Sequence, residues 1–442
     1  MLKQMVQGGT TARNVPTMRR KGNFSPHNLL FFLGTTMTTH PHPFSLEELH
    51  TRHAACKKLL GSLVPQAQGF LAFSRVSIYY LSGTMANATF WLPLEGDPVL
   101  FVRKSVERAH MESPLPGIVP YRSFGDIYAY LQGTGLPTHI ACEKSMLPWS
   151  MAENLIKRMP GIHLLAGDAV MHQARASKTA LELGLMRHAG AMHHKGICHI
   201  LPQRMRPGMT ERAIAVLISD IFLNLGHDGT SRMAAFGEEA VLGHISAGEN
   251  GNYPSHFNGP LGLCGIHPAA PFMGSEATVW QPNTLLSIDT GFSCQGYQTD
   301  KTQIFFSGPE KKLPSQVKEA HALCLAIEQE AAAMLRPGAI PAEIYAKALR
   351  MAEEGGFAQG FMGLGGNHVP FLGHGIGLAV DEWPVLATGF EVPLPHGLTM
   401  AIEPKIGIPG VGMVGSENTY ELTENGGGPL SGGPKAIICL EE

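Results

Sequence analysis

Five residues in the second half of the chain have types and spacings suited to holding metal ions: Asp289, Asp300, His374, Glu403 and Glu417. Asp289 closes the apolar run of TLLSID, Asp300 opens TDKTQIFF, Glu403 follows MAI, and Glu417 precedes NTYELT. A carboxylate in such a setting costs several kcal/mol to bury unless it is paired or bound to a cation. Grouped acids therefore call for a cation. Four carboxylates and one imidazole suit two divalent ions about 3.5 to 4 Å apart, with two acids bridging and a water or hydroxide held between the ions as nucleophile. A ligand set rich in oxygen, with a single nitrogen, favours Mn²⁺ and is also compatible with Fe²⁺, Co²⁺ or Zn²⁺.

Strands and turns must bring these residues together. The stretch TLLSIDTGFSCQGYQTDKTQIFFSG reads as two strands joined by a glycine-containing turn, which sets Asp289 and Asp300 facing each other on a β-hairpin. EPKIGIPGVGMVGSENTYELT repeats the pattern with Glu403 and Glu417. His374 lies in GHGIGL, where Gly373, Gly375 and Gly377 allow close backbone approach. The segment GVGMVG matches G-x-G-x-x-G, but it lies between acid-bearing strands instead of opening a helix, so it reads as a hairpin that aims Glu417 and not as a dinucleotide site. No Walker-type loop, G-x-S-x-G elbow or HExxH motif is present.

The chain has 442 residues, 44% hydrophobic and 16% charged, enough for two domains of ordinary size. A net charge of -3 provides no field to gather nucleic acid or anionic lipid. Seven scattered cysteines without a CxxC pair suit reduced thiols in a cytoplasm. LLFFLG at 29–34 is too short for a membrane span and weak as a signal. Residues 1–36 are expected to be a flexible extension, with the first domain beginning at Met37 and an upstream mis-start a live reading.

Residues 37–174 read as a mixed α/β domain. The pattern predicts a helix over 45–63 with Ser45 and Glu48 as a capping box, a strand VSIYYLSGT, and a hairpin ATFWLPLEGDPVLFVRK turning at Glu95-Gly96-Asp97. A linker around Ser177 then leads into a long amphipathic helix, which opens the domain at 175–442. That domain contains an internal echo. Arg206-Pro207-Gly208 and Arg336-Pro337-Gly338 lie 336 − 206 = 130 residues apart, each before a helix and glycine-rich strands, as in a duplicated unit.

The words IDTGF, TDKTQIF, GHGIGL, AIEP and GSENTYELT, with the order Asp, Asp, His, Glu, Glu and the first spacing of 300 − 289 = 11, resemble the pita-bread metallopeptidases. That family includes methionine aminopeptidase, prolidase and aminopeptidase P. The resemblance implies an α+β fold in which a pita-bread catalytic domain of two pseudo-twofold helix-plus-antiparallel-sheet halves follows a smaller creatinase-like α/β domain. It implies that Asp289 chelates one metal, that His374 and Glu403 hold the other, and that Asp300 and Glu417 bridge. The presence of residues 37–174 points to the creatinase, prolidase and aminopeptidase P branch. The activity implied is removal of an N-terminal residue before proline from a short peptide, with Glu403 or Glu417 relaying a proton to the leaving nitrogen. The relatives also imply a homodimer.

The sequence departs from this pattern at three places. Asp381 stands seven residues after His374, where the peptidases carry a histidine, and an ionised Asp accepts where an imidazole can donate. Gly415 replaces an arginine common two residues before the last ligand, and Lys405 follows AIEP in place of glycine, as if its ammonium partly restored the lost charge. A substrate-binding histidine upstream of the first Asp is matched by His256, near SAGENG, with His267 as runner-up. Asp381 thus leaves two alternatives beside peptidase activity: another amide C–N bond as substrate, or a metal-containing binding role. A metal-free creatinase-like reaction fits poorly, because all five ligand types are kept.

Overall fold

The chain, seen in a computed structural model that describes residues 43–234 and 242–441, builds two sheets one after the other along the sequence. The extension 1–36 and the predicted start at Met37 lie outside the described residues.

The first sheet contains β1 (Gly69–Ala72), β2 (Ala88–Pro93), β3 (Val99–Val102), β4 (Ile118–Pro120), β5 (His139–Cys142) and β6 (His163–Ala166), in the order β4-β3-β2-β1-β5-β6. The expected β2–β3 hairpin is antiparallel, and Gly96 takes the positive φ of 104° that its turn requires. Helices α1 (Leu46–Leu63), α2 (Arg75–Ser82), α3 (Val106–Glu112), α4 (Phe124–Thr134), α5 (Trp149–Arg158) and α6 (Asp168–Ala176) connect and cover these strands.

Two local expectations are corrected. VSIYYLSGT forms helix α2 and not a strand: Ser74 caps it by accepting the Ser77 N–H at 3.1 Å, and Gly83 ends it in the left-handed region. Ser77 to Ser82 are all buried, and a helix buried on all sides has the same apolar run as a buried strand. At α1, Ser45 does accept the Glu48 N–H, but the Glu48 carboxylate turns to Arg52 and Thr179 instead of closing the capping box.

Helix α6 ends at Ala176, and three residues later Thr179 caps α7 (Ala180–Lys195), so the predicted boundary after residue 174 falls in the last turn of α6. Helix α7 runs on through a π turn at 196–200 into α8 (Leu201–Arg204), and α9 (Glu211–Asn224) follows. Helices α10 (Ser315–Met334) and α11 (Pro341–Glu354) form the corresponding pair further along. Among the described residues no helix is long and apolar enough to cross a membrane.

The second sheet contains β7 (Gly243–Ala247), β8 (Leu285–Cys294), β9 (Tyr297–Ser307), β10 (Phe371–Gly375), β11 (Glu382–Ala387) and β12 (Thr399–Ile402). It is completed by β15 (Glu417–Thr423), β16 (Gly426–Pro429) and β17 (Ile438–Leu440). Its main path is β11-β10-β12-β15-β9-β8-β7, and the hairpin β13 (Lys405–Ile408) and β14 (Gly412–Gly415) stands apart from it. The internal echo is structural. Gly208 and Gly338 have φ of 87° and 85°, and each donates its N–H to a distant loop carbonyl, of Trp280 and Leu394. One core packs Ile218 and Phe222 of α9 with Ile288 and Phe305, and the other packs Ile344 of α11 with Leu372 and Met400.

A polar chain ties α6 to the second sheet. Glu143 accepts hydrogen bonds from Ser74 and Ser77, Ser77 accepts one from Arg175 at 3.0 Å, and Arg175 donates to Glu382 at 3.1 Å. Lys178 Nζ lies 3.5 Å from the other oxygen of Glu382. All of these groups are buried, so each charge depends on the next. Arg175→Leu is expected to cost about 3–5 kcal/mol, the scale for breaking a buried pair. A denaturant melt of the variant that matches the parent protein would refute the assigned role of this chain of contacts.

Candidate metal centre

Strand register assembles the acids. Asp289 on β8 and Glu417 on β15 are both register partners of Thr302 on the intervening β9, which puts the three in one row across the sheet. Asp300, two residues before Thr302, shares its face by the period of two and lies opposite Gly291, so it meets Asp289 diagonally. Thr302 Oγ1 donates to Glu417 Oε2 at 2.9 Å, and the Lys301 N–H donates to Asp300 Oδ1 at 2.9 Å.

The other half supplies His374 and Glu403. His374 on β10 pairs with Ala401 on β12, and Glu403 follows the end of β12, its N–H donating to Leu372 O. The glycines beside His374 are there for spacing: a Cβ on Gly373 would lie 2.1 Å from Ala401 O, and one on Gly375 2.4 Å from Trp383 O. His374 Nδ1 is 3.1 Å from Gly375 O, which can only accept, so the proton sits on Nδ1 and Nε2 presents its lone pair to the site. Nε2 lies 3.6 Å from Glu403 Oε1.

Asp300, His374 and Glu417 each offer one ligand atom, and these atoms lie within 4.8 Å of one another. Such a group of two carboxylate oxygens and one imidazole nitrogen fits a divalent cation. Lys405 occupies the other side of the cluster. Its Nζ lies 2.8 Å from Glu403 Oε2, 2.8 Å from Glu417 Oε2 and 3.3 Å from Asp289 Oδ2. Lys405 and Gly415 are register partners on β13–β14, so the charge absent at 415 is present directly across the hairpin.

Burial, and after it the neighbouring acids, hold the carboxyls of Asp300 and Glu417 well above the usual range. Burial alone would push the Lys405 ammonium down, but Asp289, Glu403 and Glu417 outweigh it and hold its pKa well above the ordinary value. Burial also raises the Asp381 carboxyl, against the lowering effects of the Ala234 N–H, which donates to Oδ1 at 2.5 Å, and of His374.

A cavity of about 210 Å³ brings Asp289, Asp300, His374, Glu403, Glu417 and Asp381 to one surface. Its remaining wall is largely apolar, from Leu242, Phe257, Leu261, Phe272, Phe371 and Val385. His256 and His267 are exposed and do not line it; the His256 ring lies tilted against Phe257. The upstream histidine that does line it is His244, the register partner of Asp289 on β7. The enclosing residues push its pKa down to about 4, which leaves the ring neutral at physiological pH. The SAGENG words follow it and lead into the loop that carries His256. The available signal was its alternation with apolar Ile245 in a strand leading to that loop.

The sequence matches the model of the creatinase/prolidase N-terminal domain over residues 52–177 and that of metallopeptidase family M24 over residues 184–424. Among curated proteins it is similar to an Xaa-Pro dipeptidase of Pyrococcus furiosus, 27% identical over 79% of this chain and 89% of that one. Solved structures with the same fold include an X-Pro aminopeptidase from Thermotoga maritima, with 20% identity, a TM-score of 0.70, and 87% of this chain and 99% of that one covered. An Xaa-Pro dipeptidase from Bacillus anthracis has 20% identity and a TM-score of 0.74, with 88% and 100% covered. With a family match over more than half its length and a pita-bread arrangement of its second sheet, the chain belongs to metallopeptidase family M24.

Proposed function

We propose that this chain is a metal-dependent exopeptidase that hydrolyses the bond between an N-terminal residue and a following proline in short peptides. The observation that carries this reading is the convergence of Asp289, Asp300, His374, Glu403 and Glu417 on one cavity that also has apolar lining residues. Asp300, His374 and Glu417 would hold a divalent ion, for which the donor set favours Mn²⁺. When bound, such an ion supplies Lewis-acid polarisation of the scissile carbonyl and a more acidic water.

The chain's own residues do the rest. Lys405 holds Glu403 Oε2 while Oε1 accepts no hydrogen bond among the described residues, so Glu403 can take a proton from the attacking water and return it to the leaving nitrogen. His244, neutral and beside Asp289, can donate an N–H to the carbonyl oxygen as charge develops there. The apolar wall suits a prolyl ring and excludes water from it. No Arg or Lys lines the cavity among the described residues, so no basic side chain there would pair with a free carboxylate on the proline. That favours an aminopeptidase over a dipeptidase.

Asp381 supports a second reading. It replaces the donor histidine of the family pattern and receives a hydrogen bond from Ala234, which suits it to bind a substrate cation or an amide other than a peptide.

Mn²⁺-loaded protein is expected to cleave Xaa-Pro-amides faster than the corresponding free Xaa-Pro acids, and Asp289→Asn or Glu417→Gln to abolish turnover while leaving the far-UV circular dichroism unchanged. Failure to release the N-terminal residue from any proline-containing substrate would reject the peptidase reading in favour of the second one. His244→Ala is expected to lower kcat/KM by about 10²–10³-fold, the scale for one oxyanion donor, with His256→Ala nearly silent; the reverse ranking in a peptide assay would restore His256. Because the Asp381 carboxyl is raised, activity that needs it ionised should fall as pH drops through a value above that of an ordinary aspartate. Asp381→Glu should move that limb of the kcat/KM profile, and an unmoved limb would remove Asp381 from the reaction.

A further inference from the structure

Lys405 lies where the ligand pattern leads one to expect part of a second metal ion. It is 1% exposed, and its ammonium has three N–H donors with three carboxylates arranged around them: Glu403 and Glu417 at 2.8 Å and Asp289 at 3.3 Å. This is a closed coordination sphere for a cation. It uses Asp289 and one oxygen of Glu403, both of which a second ion would need.

The backbone is built to admit this lysine. Gly415 faces it across the β13–β14 hairpin, and a Cβ there would lie 2.8 Å from Lys405 Cγ and 2.4 Å from Pro404 O. The close hairpin backbone already requires glycine at 415, and the missing side chain also leaves the lysine stem uncrowded. On the far side of the ammonium, Asp300, His374 and Glu417 remain grouped for one ion. Two divalent ions beside the ammonium would place three cations among four carboxylates, two of which, Asp289 and Glu403, the ammonium already holds. The cations at the two positions would also repel each other across a site where little water intervenes.

We propose that Lys405 permanently fills one of the two cation positions, so that each chain binds a single divalent ion, through Asp300, His374 and Glu417. This rests on reading the five residues as a metal centre and is independent of which bond the protein cleaves.

The test is metal stoichiometry. The full chain, stripped with chelator, is dialysed against excess Mn²⁺, and bound manganese per chain is counted by elemental analysis while the electron paramagnetic resonance spectrum is recorded. The expected result is one Mn²⁺ per chain with the hyperfine pattern of an isolated ion, rising to two with a spin-coupled spectrum in Lys405→Ala. Two coupled ions in the parent protein, no bound ion, or a Lys405→Ala protein that still binds one would each overturn the proposal. If Lys405→Ala does not fold, the parent protein's spectrum alone decides. Because no turnover is measured, a chain that binds one ion but cleaves no Xaa-Pro bond would defeat the peptidase reading and leave this one standing.

Discussion

Mutual repulsion among four carboxylates governs this structure. Asp300, Glu403 and Glu417 are buried, Asp289 is half-buried, and none could be held so close to the others without a cation between them. Lys405 meets three of the four, which makes the cluster compatible with a folded chain. A one-residue slip of β8, β9 or β15 would turn an acid to the opposite face, away from that ammonium.

The duplicated halves divide the work. Strands β8 and β9 carry the two aspartates, strands β10 and β12 with the residue after them carry His374 and Glu403, and β15 joins the halves through its pairing with both β12 and β9. Each half has its own helix pair and apolar core behind it, so the polar residues are positioned from both sides by rigid packing. The first sheet contributes at a distance. Glu143, Ser77 and Arg175 hold Glu382, and Glu382 is adjacent to Asp381 at the cavity.

What could be read from the sequence depended on how local the cause was. The Asp289–Asp300 hairpin, the two Arg-Pro-Gly turns and the glycines around His374 follow from residue spacing and backbone freedom, and the structure contains them. Helix α2 is not distinguishable from a strand in the sequence, because burial on all sides erases the periodicity that separates the two. The place of His244 is not legible locally, because it comes from pairing with Asp289, a partner 45 residues away (289 − 244). Lys405 was suspected from its neighbourhood, but its contact with Asp289 depends on a hairpin folding back against a separate strand, which no local pattern announces.

The pairing of Lys405 with Gly415 bears on how such a site can change over generations. A Cβ at 415 would meet Pro404 O at 2.4 Å and Lys405 Cα at 2.7 Å as well as the lysine stem at 2.8 Å, so the hairpin backbone bars a side chain there whatever stands at 405, and removing the lysine leaves three acids that only another cation can compensate. Neither single substitution is benign. Moving the cation from one strand of the hairpin to the other would therefore take a shift of the β13–β14 backbone and not the exchange of two side chains alone.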